Sequence, residues 1–354
     1  MRADPELPEV FSRAEARAAG LTDRQVDRRL LTGRFRPVRR GLLTAELPAP
    51  DLAGTPVQPP KGRPPGLPLR SRVVAALRAA PSGAVVSHDT AAAVWGLPTP
   101  LGDPRPVSLT RTPDGAASTR YYPDLRIEVA TLQDDDLHAD GPLTAPARTV
   151  VDCCRHLPGR DALAIADAAV HLGLTGPEDL AEVLRRCSGW PGVRRAARVL
   201  PLVDGRRESP LESWSAWAFH TQGTALPVPQ VELVDDDGVL VARADFWWGE
   251  GVAGEADGRA KYLLRAAALG GATEEALVRT LHLEREREGH IRRLGAELER
   301  WDARDVLGRS DRAALAARVE RARKVAASRG APIHTRLTPA PRRLHSPQPP
   351  SWRP

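Results

Sequence analysis

The stretch Ala242 to Tyr262, ARADFWWGEGVAGEADGRAKY, decides the fold of the last third of this chain. Its two apolar runs predict two strands, Val239 to Trp248 and Val252 to Asp257, with a glycine turn between them. If these strands pair as a hairpin, Asp245 and Glu255 lie near each other across the sheet.

Three carboxylates gather on one face of this hairpin, because the side-chain period of two places Asp257 beside Glu255. Like charges this close repel, so the cluster favours a bound cation or a basic neighbour. Lys261 follows, one of three lysines among 51 basic residues. Lysine, unlike arginine, has a pKa that a protein can tune, so the stretch predicts an active site.

The flanking segments predict the elements around the hairpin. Ser209 caps a helix with Pro210 at its first position and Glu212 three residues after the cap, and the helix ends at Gly223. The remaining predicted elements are a strand at Val231 to Val234 and, after the hairpin, a helix over 274–293, a strand over 296–301 and a helix over 310–328. The order is helix, three strands, helix, strand, helix.

The chemistry of this cluster suits a hard divalent cation. Magnesium or manganese takes carboxylate oxygens together with water and phosphate oxygens. Asp245 and Glu255 are the predicted metal ligands. A metal held there activates water and stabilises charge on a phosphate, while Lys261 orients the nucleophile or offsets phosphate charge.

At these residues the block 206–328 resembles the PD-(D/E)xK nuclease superfamily, and more closely the endonuclease-like domains related to very-short-patch-repair endonucleases. The resemblance implies that Asp245 and Glu255 are the first and second motif acids and that Glu212 is an accessory acid. Two positions depart from the motif. Ala244 stands where a proline precedes the first acid, and Asp257 stands at the lysine position, which makes Lys261 the substitute lysine.

A structural interpretation competes with this one. Asp245 and Glu255 can pair with Arg243 and Arg259, which leaves a non-enzymatic scaffold. The charge run at 284–288 is interpreted as a solvated helix face.

The N-terminal segment 5–45 predicts two short helices followed by a ribbon. Ser12 with Glu15, and Thr22, mark the two helix starts. One face of the pair is predicted to bury Ala14, Ala18, Val26 and Leu30. The predicted DNA-contacting residues lie on the second helix and the ribbon: Arg24, Gln25, Arg28, Arg29, Arg34, Arg36, Arg39 and Arg40. This arginine density suits salt-dependent phosphate contacts with the second helix in a major groove.

This segment resembles the winged helix-turn-helix of AbiEi-type antitoxins from type IV toxin–antitoxin systems. Two stretches of the next block, Ser87 to Pro98 and Leu143 to Arg155, are similar to the domain that follows in that family. The resemblance implies operator DNA binding and a cognate toxin or defence protein as a partner. The rival functions are a repressor or antitoxin with an inactive nuclease-like domain, and a protein-binding module in phage defence.

Composition bounds the remaining possibilities. The net charge of +6 and pI near 9.8 favour a polyanionic partner such as nucleic acid. Three cysteines without paired spacing fit a reduced cytoplasm. No signal peptide or apolar run of about 20 residues is found, so a cytoplasmic protein with no membrane partner is expected.

The predicted fold class is therefore multidomain α+β, with an oligomeric state that the sequence does not reveal. It comprises a winged helix (5–45), a proline-rich linker (46–70), an α+β middle domain (71–205), a restriction-endonuclease-like α/β domain (206–330) and a disordered tail (331–354).

Overall fold

The computed structural model describes residues 6–45, 67–99, 106–113, 118–256, 286–330 and 333–339. These residues separate into two compact units, divided between Cys153 and Cys154. Helices and three sheets are mixed along the chain, which confirms the α+β class. The predicted boundary at 205/206 lies inside the second unit.

The first unit opens with two helices and a three-stranded antiparallel sheet in the order β1-β3-β2. Its elements are β1 (Val10–Ser12), α1 (Arg13–Ala18), α2 (Asp23–Leu31), β2 (Phe35–Arg39) and β3 (Leu42–Ala45). Ser12 and Thr22 are N-caps, and both complete capping boxes, as predicted. The predicted ribbon is the β2–β3 pair.

One part of this prediction is wrong. Ala14 and Ala18 are exposed, and Ala16 is buried in their place. Ala16 packs into the core with Phe11 and Val26. Ala14 and Ala18 lie two positions to either side of it, so at about 3.6 residues per turn they point away from that core.

The rest of the first unit is built on a four-stranded sheet in the order β4-β5-β7-β6, with β5 parallel to β7. Its elements are α3 (Leu69–Ala79), β4 (Val85–Val86), α4 (His88–Val94), β5 (Val107–Arg111), β6 (Arg120–Tyr121), β7 (Leu125–Val129) and a 3-10 turn (Asp134–Asp136). Helix α5 (Pro146–His156) runs across the division between the units. Because α3 begins at Leu69, the predicted linker (46–70) extends two residues into this helix.

The second unit begins with helices that lead into a five-stranded sheet. The helices are α6 (Gly159–His171), α7 (Pro177–Arg186), α8 (Val193–Val199), a 3-10 turn (Leu200–Leu202) and α9 (Pro210–Gln222). The later elements are β8 (Val228–Val234), β9 (Leu240–Trp248), β10 (Val252–Ala256), β11 (Glu297–Trp301), α10 (Ala303–Leu307), α11 (Arg309–Arg329) and β12 (Thr335–Leu337). Residues 286–293 are also helical.

The sheet order is β11-β10-β9-β8-β12, with β11 parallel to β10 and the other pairs antiparallel. The predicted order of elements is confirmed where the structure describes them. Strand β12 pairs with β8, so the predicted disordered tail is wrong for Thr335–Leu337.

An aromatic core joins α9 to this sheet. Phe219 of α9 meets Phe246, Trp248 and Trp301 edge to face, with ring centroids 5.2 to 6.4 Å apart. Gly254 allows this packing, because a Cβ there would lie 2.6 Å from Trp301. The core therefore fixes the end of β9 and β10 that carries the acidic residues.

None of the described helices has the length and apolarity that a membrane crossing requires.

Candidate acidic site and basic surface

Asp245 and Glu255 lie on the neighbouring strands β9 and β10. The antiparallel register pairs Trp248 with Val252 and Phe246 with Gly254, and Asp245 and Glu255 are the next residue of each strand. The predicted pairing of the two strands as a hairpin is therefore confirmed, while a shared face for Asp245 and Glu255 stays a prediction. Both side chains are buried, with residue exposures of 7% and 1%.

Glu212 joins this pair from the first turn of α9. Its carboxylate accepts hydrogen bonds from the Glu208 amide (3.0 Å), Ser209 Oγ (2.7 Å) and Gln230 Nε2 (2.9 Å). Burial, and next the charge of Asp245, raise the pKa of Glu212. The helix thus brings a third carboxylate close to Asp245, but the three donors also give Glu212 a structural role at the start of α9.

Gln230 is a site residue that sequence reasoning missed. It lies on β8 between the ladder pairs Pro229 with Phe246 and Val231 with Ala244, and its φ of 54° is in the left-handed region. Its side chain donates to Glu212 and accepts from Arg243 Nε at 2.5 Å. No sequence signal reveals this bridge, because it depends on a local distortion of the strand.

Arg287 neutralises Glu255. Its Nη2 lies 2.5 Å from Glu255 Oε1 and donates to the Arg243 carbonyl at 2.6 Å. The interpretation of 284–288 as a solvated face is therefore wrong for Arg287. Asp245 Oδ2 accepts the Ala256 amide at 3.1 Å.

The sequence predicts that Arg243 pairs with one of the site acids, Asp245 or Glu255, but its contacts in the structure are different. Arg243 pairs with Glu208 and bonds Gln230. Arg259 lies outside the described residues, as do the predicted site residues Asp257 and Lys261.

Asp245 and Glu255 remain the residues whose chemistry fits Mg²⁺ or Mn²⁺, since both offer hard carboxylate oxygens. In the described part of the second unit, no three His, Cys, Asp or Glu side chains bring ligand atoms within 4.8 Å of one another. The donor set there is thus a pair of acids with Glu212 nearby.

A separate basic surface lies on α2. Arg13 and Arg17 of α1 bind the two acids of α2, with Arg13 Nη2 2.6 Å from Asp27 and Arg17 Nη1 3.2 Å from Asp23. Arg24 and Arg28 project to solvent four positions apart, on one side of the helix. Neither has a side-chain hydrogen bond or ion pair with any residue in the described ranges. The outer side of α2 is therefore positively charged.

Three of the predicted DNA-contacting residues serve the fold. Gln25 Oε1 accepts the Thr22 amide at 2.8 Å in the capping box. Arg29 stacks 5.6 Å from the Phe35 ring centroid. Arg39 bonds Asp124 at 2.6 Å.

The remaining predicted DNA-contacting arginines, on the ribbon, are more exposed to solvent. Arg34 and Arg40 are exposed and Arg36 is half-buried on the ribbon. The basic surface consequently centres on Arg24 and Arg28.

A buried polar cluster adjoins α4. Ser87 Oγ lies 2.8 Å from His88 Nδ1, and His88 Nε2 lies 3.1 Å from Glu128. Ser87 and His88 are thus in direct side-chain contact, and His88 has a φ of 53°. All three residues are at most 9% exposed, so the cluster offers no nucleophile to solvent.

Comparisons with known proteins add limited information. Two uncharacterized proteins of Mycobacterium tuberculosis, one from each of two strains, are each 33% identical to this chain over 106 residues. The match covers 30% of this chain and 38% of each relative, so the chain spans well under half the length of these relatives. No family model and no solved structure matches the chain.

Proposed function

We propose that this protein binds DNA and hydrolyses phosphodiester bonds with a divalent metal in its second unit. The observation that carries the proposal is the buried acids Asp245 and Glu255 on the paired strands β9 and β10, with Asp245 close enough to Glu212 to raise its pKa. Buried like charges are costly unless a cation or basic group offsets them, and such clusters concentrate at functional sites.

The residues divide the work as follows. Asp245 and Glu255 hold Mg²⁺ or Mn²⁺, which when bound activates water and polarises the scissile phosphate. Glu212, whose pKa burial raises, assists through a water molecule near Asp245. Lys261 has the role of orienting the nucleophile that the nuclease resemblance implies.

DNA contact is assigned to the first unit. Arg24 and Arg28 leave two positive charges on the outer side of α2, with the arginines of the ribbon nearby in sequence. Such contacts to phosphate are sequence-independent and weaken as salt rises.

A second function is favoured by one specific observation, the ion pair of Arg287 with Glu255. An arginine in this place offsets the acid charge without a metal. The chain would then be a non-enzymatic repressor or antitoxin in the cytoplasm, with a cognate toxin or defence protein as its partner.

One assay separates the two functions. The full chain is incubated with supercoiled and linear DNA and with Mg²⁺ or Mn²⁺, beside an Asp245→Ala/Glu255→Ala variant. Asp237→Ala is the matched control, because Asp237 is an exposed acid in the turn between β8 and β9. If the native chain and the Asp237→Ala control cleave DNA and the double variant does not, the nuclease function is supported. DNA binding without cleavage, or cleavage by the double variant, rejects the nuclease function.

A further inference from the structure

A pocket of about 440 Å³ lies in the second unit. Neither Asp245 nor Glu255 is among its lining residues. It is lined by His156, Pro158, Gly159, Arg195, Arg198 and Trp217. These residues come from the end of α5, the start of α6, α8 and α9. Its volume falls in the range of small-molecule sites, which is about 300 to 1,000 Å³.

The pocket carries positive charge and no carboxylate in its lining. Arg195 and Arg198 lie three positions apart on α8 and so share a side of the helix. Arg195 Nη1 donates to the carbonyls of Arg155 (3.1 Å) and His156 (3.0 Å), which fixes its direction without neutralising it. Arg198 is exposed and has no ion pair or side-chain hydrogen bond within the described part of the chain. The positive charge of these two guanidinium groups favours an anionic ligand.

An aromatic ring forms another wall. Trp217 is half-buried, and its indole lies directly against the backbone of Gly159, where a Cβ would be 2.2 Å from Cζ2 and Cη2. Only glycine permits this approach. The ring therefore packs closely on this backbone and lines the same pocket as Arg195 and Arg198.

We propose that this pocket binds a nucleotide, with Arg195 and Arg198 on its phosphate and Trp217 against its base. Guanidinium groups bind phosphate through forked hydrogen bonds, and a tryptophan face stacks on any base. The nucleotide is either free or one unit of a single strand. This inference does not depend on the acidic pair or on α2.

Fluorescence and calorimetric titrations test the proposal, in EDTA to exclude hydrolysis. The probes are inorganic phosphate, a free nucleoside monophosphate and a short single-stranded oligonucleotide. The native chain is compared with Arg198→Ala and with Arg194→Ala, the matched control, since Arg194 is an exposed arginine of the same helix outside the pocket lining. All titrations are repeated in an Arg24→Ala/Arg28→Ala background, so that strand binding by α2 is not mistaken for binding by the pocket.

We expect Arg198→Ala to weaken nucleotide binding about tenfold, as the loss of one charged contact implies, and Arg194→Ala to leave it within about twofold. Trp217→Leu should weaken nucleotide binding but not phosphate binding. Binding of the monophosphate identifies a free ligand, and binding of the oligonucleotide alone identifies a strand.

Three results would overturn the proposal. They are equal losses in the two arginine variants, no binding of either nucleotide probe, and nucleotide binding that ignores Trp217→Leu in a variant whose thermal unfolding shows it is folded.

Discussion

Asp167 Oδ2 and Arg207 Nη1 lie 2.7 Å apart in the interior of the second unit, with side-chain exposures of 1% and 4%. The same Nη1 donates to the Leu202 carbonyl at 3.0 Å, and Asp167 Oδ1 accepts the Asp204 amide at 2.8 Å. This ion pair ties α6 to the segment that enters α9. It therefore helps to position Glu212, five residues after Arg207.

The contribution of Asp167 to the free energy of unfolding depends on pH. Burial raises the pKa of Asp167 from 3.8 to about 6, although Arg207 opposes the shift. A carboxyl with a raised folded-state pKa binds its proton more tightly when folded, so its contribution to the free energy of unfolding is complete below pH 3.8. That contribution is lost as pH rises toward about 6. Asp167→Asn should remove this slope from urea unfolding measured between pH 3.5 and 8.

Asp167→Asn should therefore cost less stability at pH 7 than at pH 3.5, whereas Arg207→Met should lower the free energy of unfolding at pH 7 by about 3 to 5 kcal/mol, because it leaves the Asp167 carboxylate buried without its counter-charge. The Asp167→Asn/Arg207→Met chain should recover part of the loss. Identical pH slopes in the native and Asp167→Asn chains would contradict the assignment.

A second prediction concerns the aromatic core beneath the acids. Gly254→Ala places a Cβ 2.6 Å from Trp301 and 3.0 Å from Trp248, so it should cost about 1 to 3 kcal/mol by overpacking. Gly249→Ala is the matched control, because nothing lies within 4 Å of its added Cβ. Thermal unfolding should separate the two variants. Equal melting temperatures would show that the core yields freely around Gly254.

Much of this fold is readable from sequence where the signal is local. The caps at Ser12, Thr22 and Ser209 depend on residues within three positions, and each is confirmed. The turn between β9 and β10 similarly sets the register that pairs Phe246 with Gly254, the neighbours of Asp245 and Glu255.

The contacts that decide the chemistry of the site are not local. Arg287 reaches Glu255 across 32 positions, and Gln230 reaches Glu212 across 18. A charge run such as 284–288 has no periodic feature that singles out one arginine for burial. The sequence therefore indicates the acidic residues, but it does not indicate the distant side chains that bind them.

A third prediction tests the basic surface of α2. Each phosphate contact contributes about 0.9 to the slope of log binding constant against log salt, so Arg24→Ala/Arg28→Ala should reduce that slope by about 1.8. Arg17→Ala is the control, since Arg17 is exposed but paired with Asp23. Titration of each full-length variant with duplex DNA at several salt concentrations measures its salt slope. An unchanged slope in the double variant would place DNA binding elsewhere.

Arg39 should behave differently from these two arginines. Its guanidinium bonds Asp124 at 2.6 Å and stacks 5.5 Å from the Tyr122 ring. Arg39→Ala should lower the melting temperature of the first unit and leave the salt slope of DNA binding unchanged. A reduced slope with unchanged melting would return Arg39 to the DNA-contacting set.

The last prediction distinguishes a metal site from an ion pair at Glu255. Arg287→Met removes the cation beside a carboxylate whose side chain is 2% exposed, so it should destabilise the chain by about 3 kcal/mol in EDTA. If Asp245 and Glu255 bind a divalent cation, Mg²⁺ or Mn²⁺ should restore stability, by about 2.7 kcal/mol at 100 times the dissociation constant. Arg293→Met controls for the loss of an arginine from the same helical segment, since Arg293 Nε bonds only the Gly289 carbonyl at 3.2 Å among the described contacts. Adding Glu255→Gln to Arg287→Met should abolish the metal response. A variant that metal does not stabilise would show that arginine is the natural counter-ion of this pair, and would favour the non-enzymatic function.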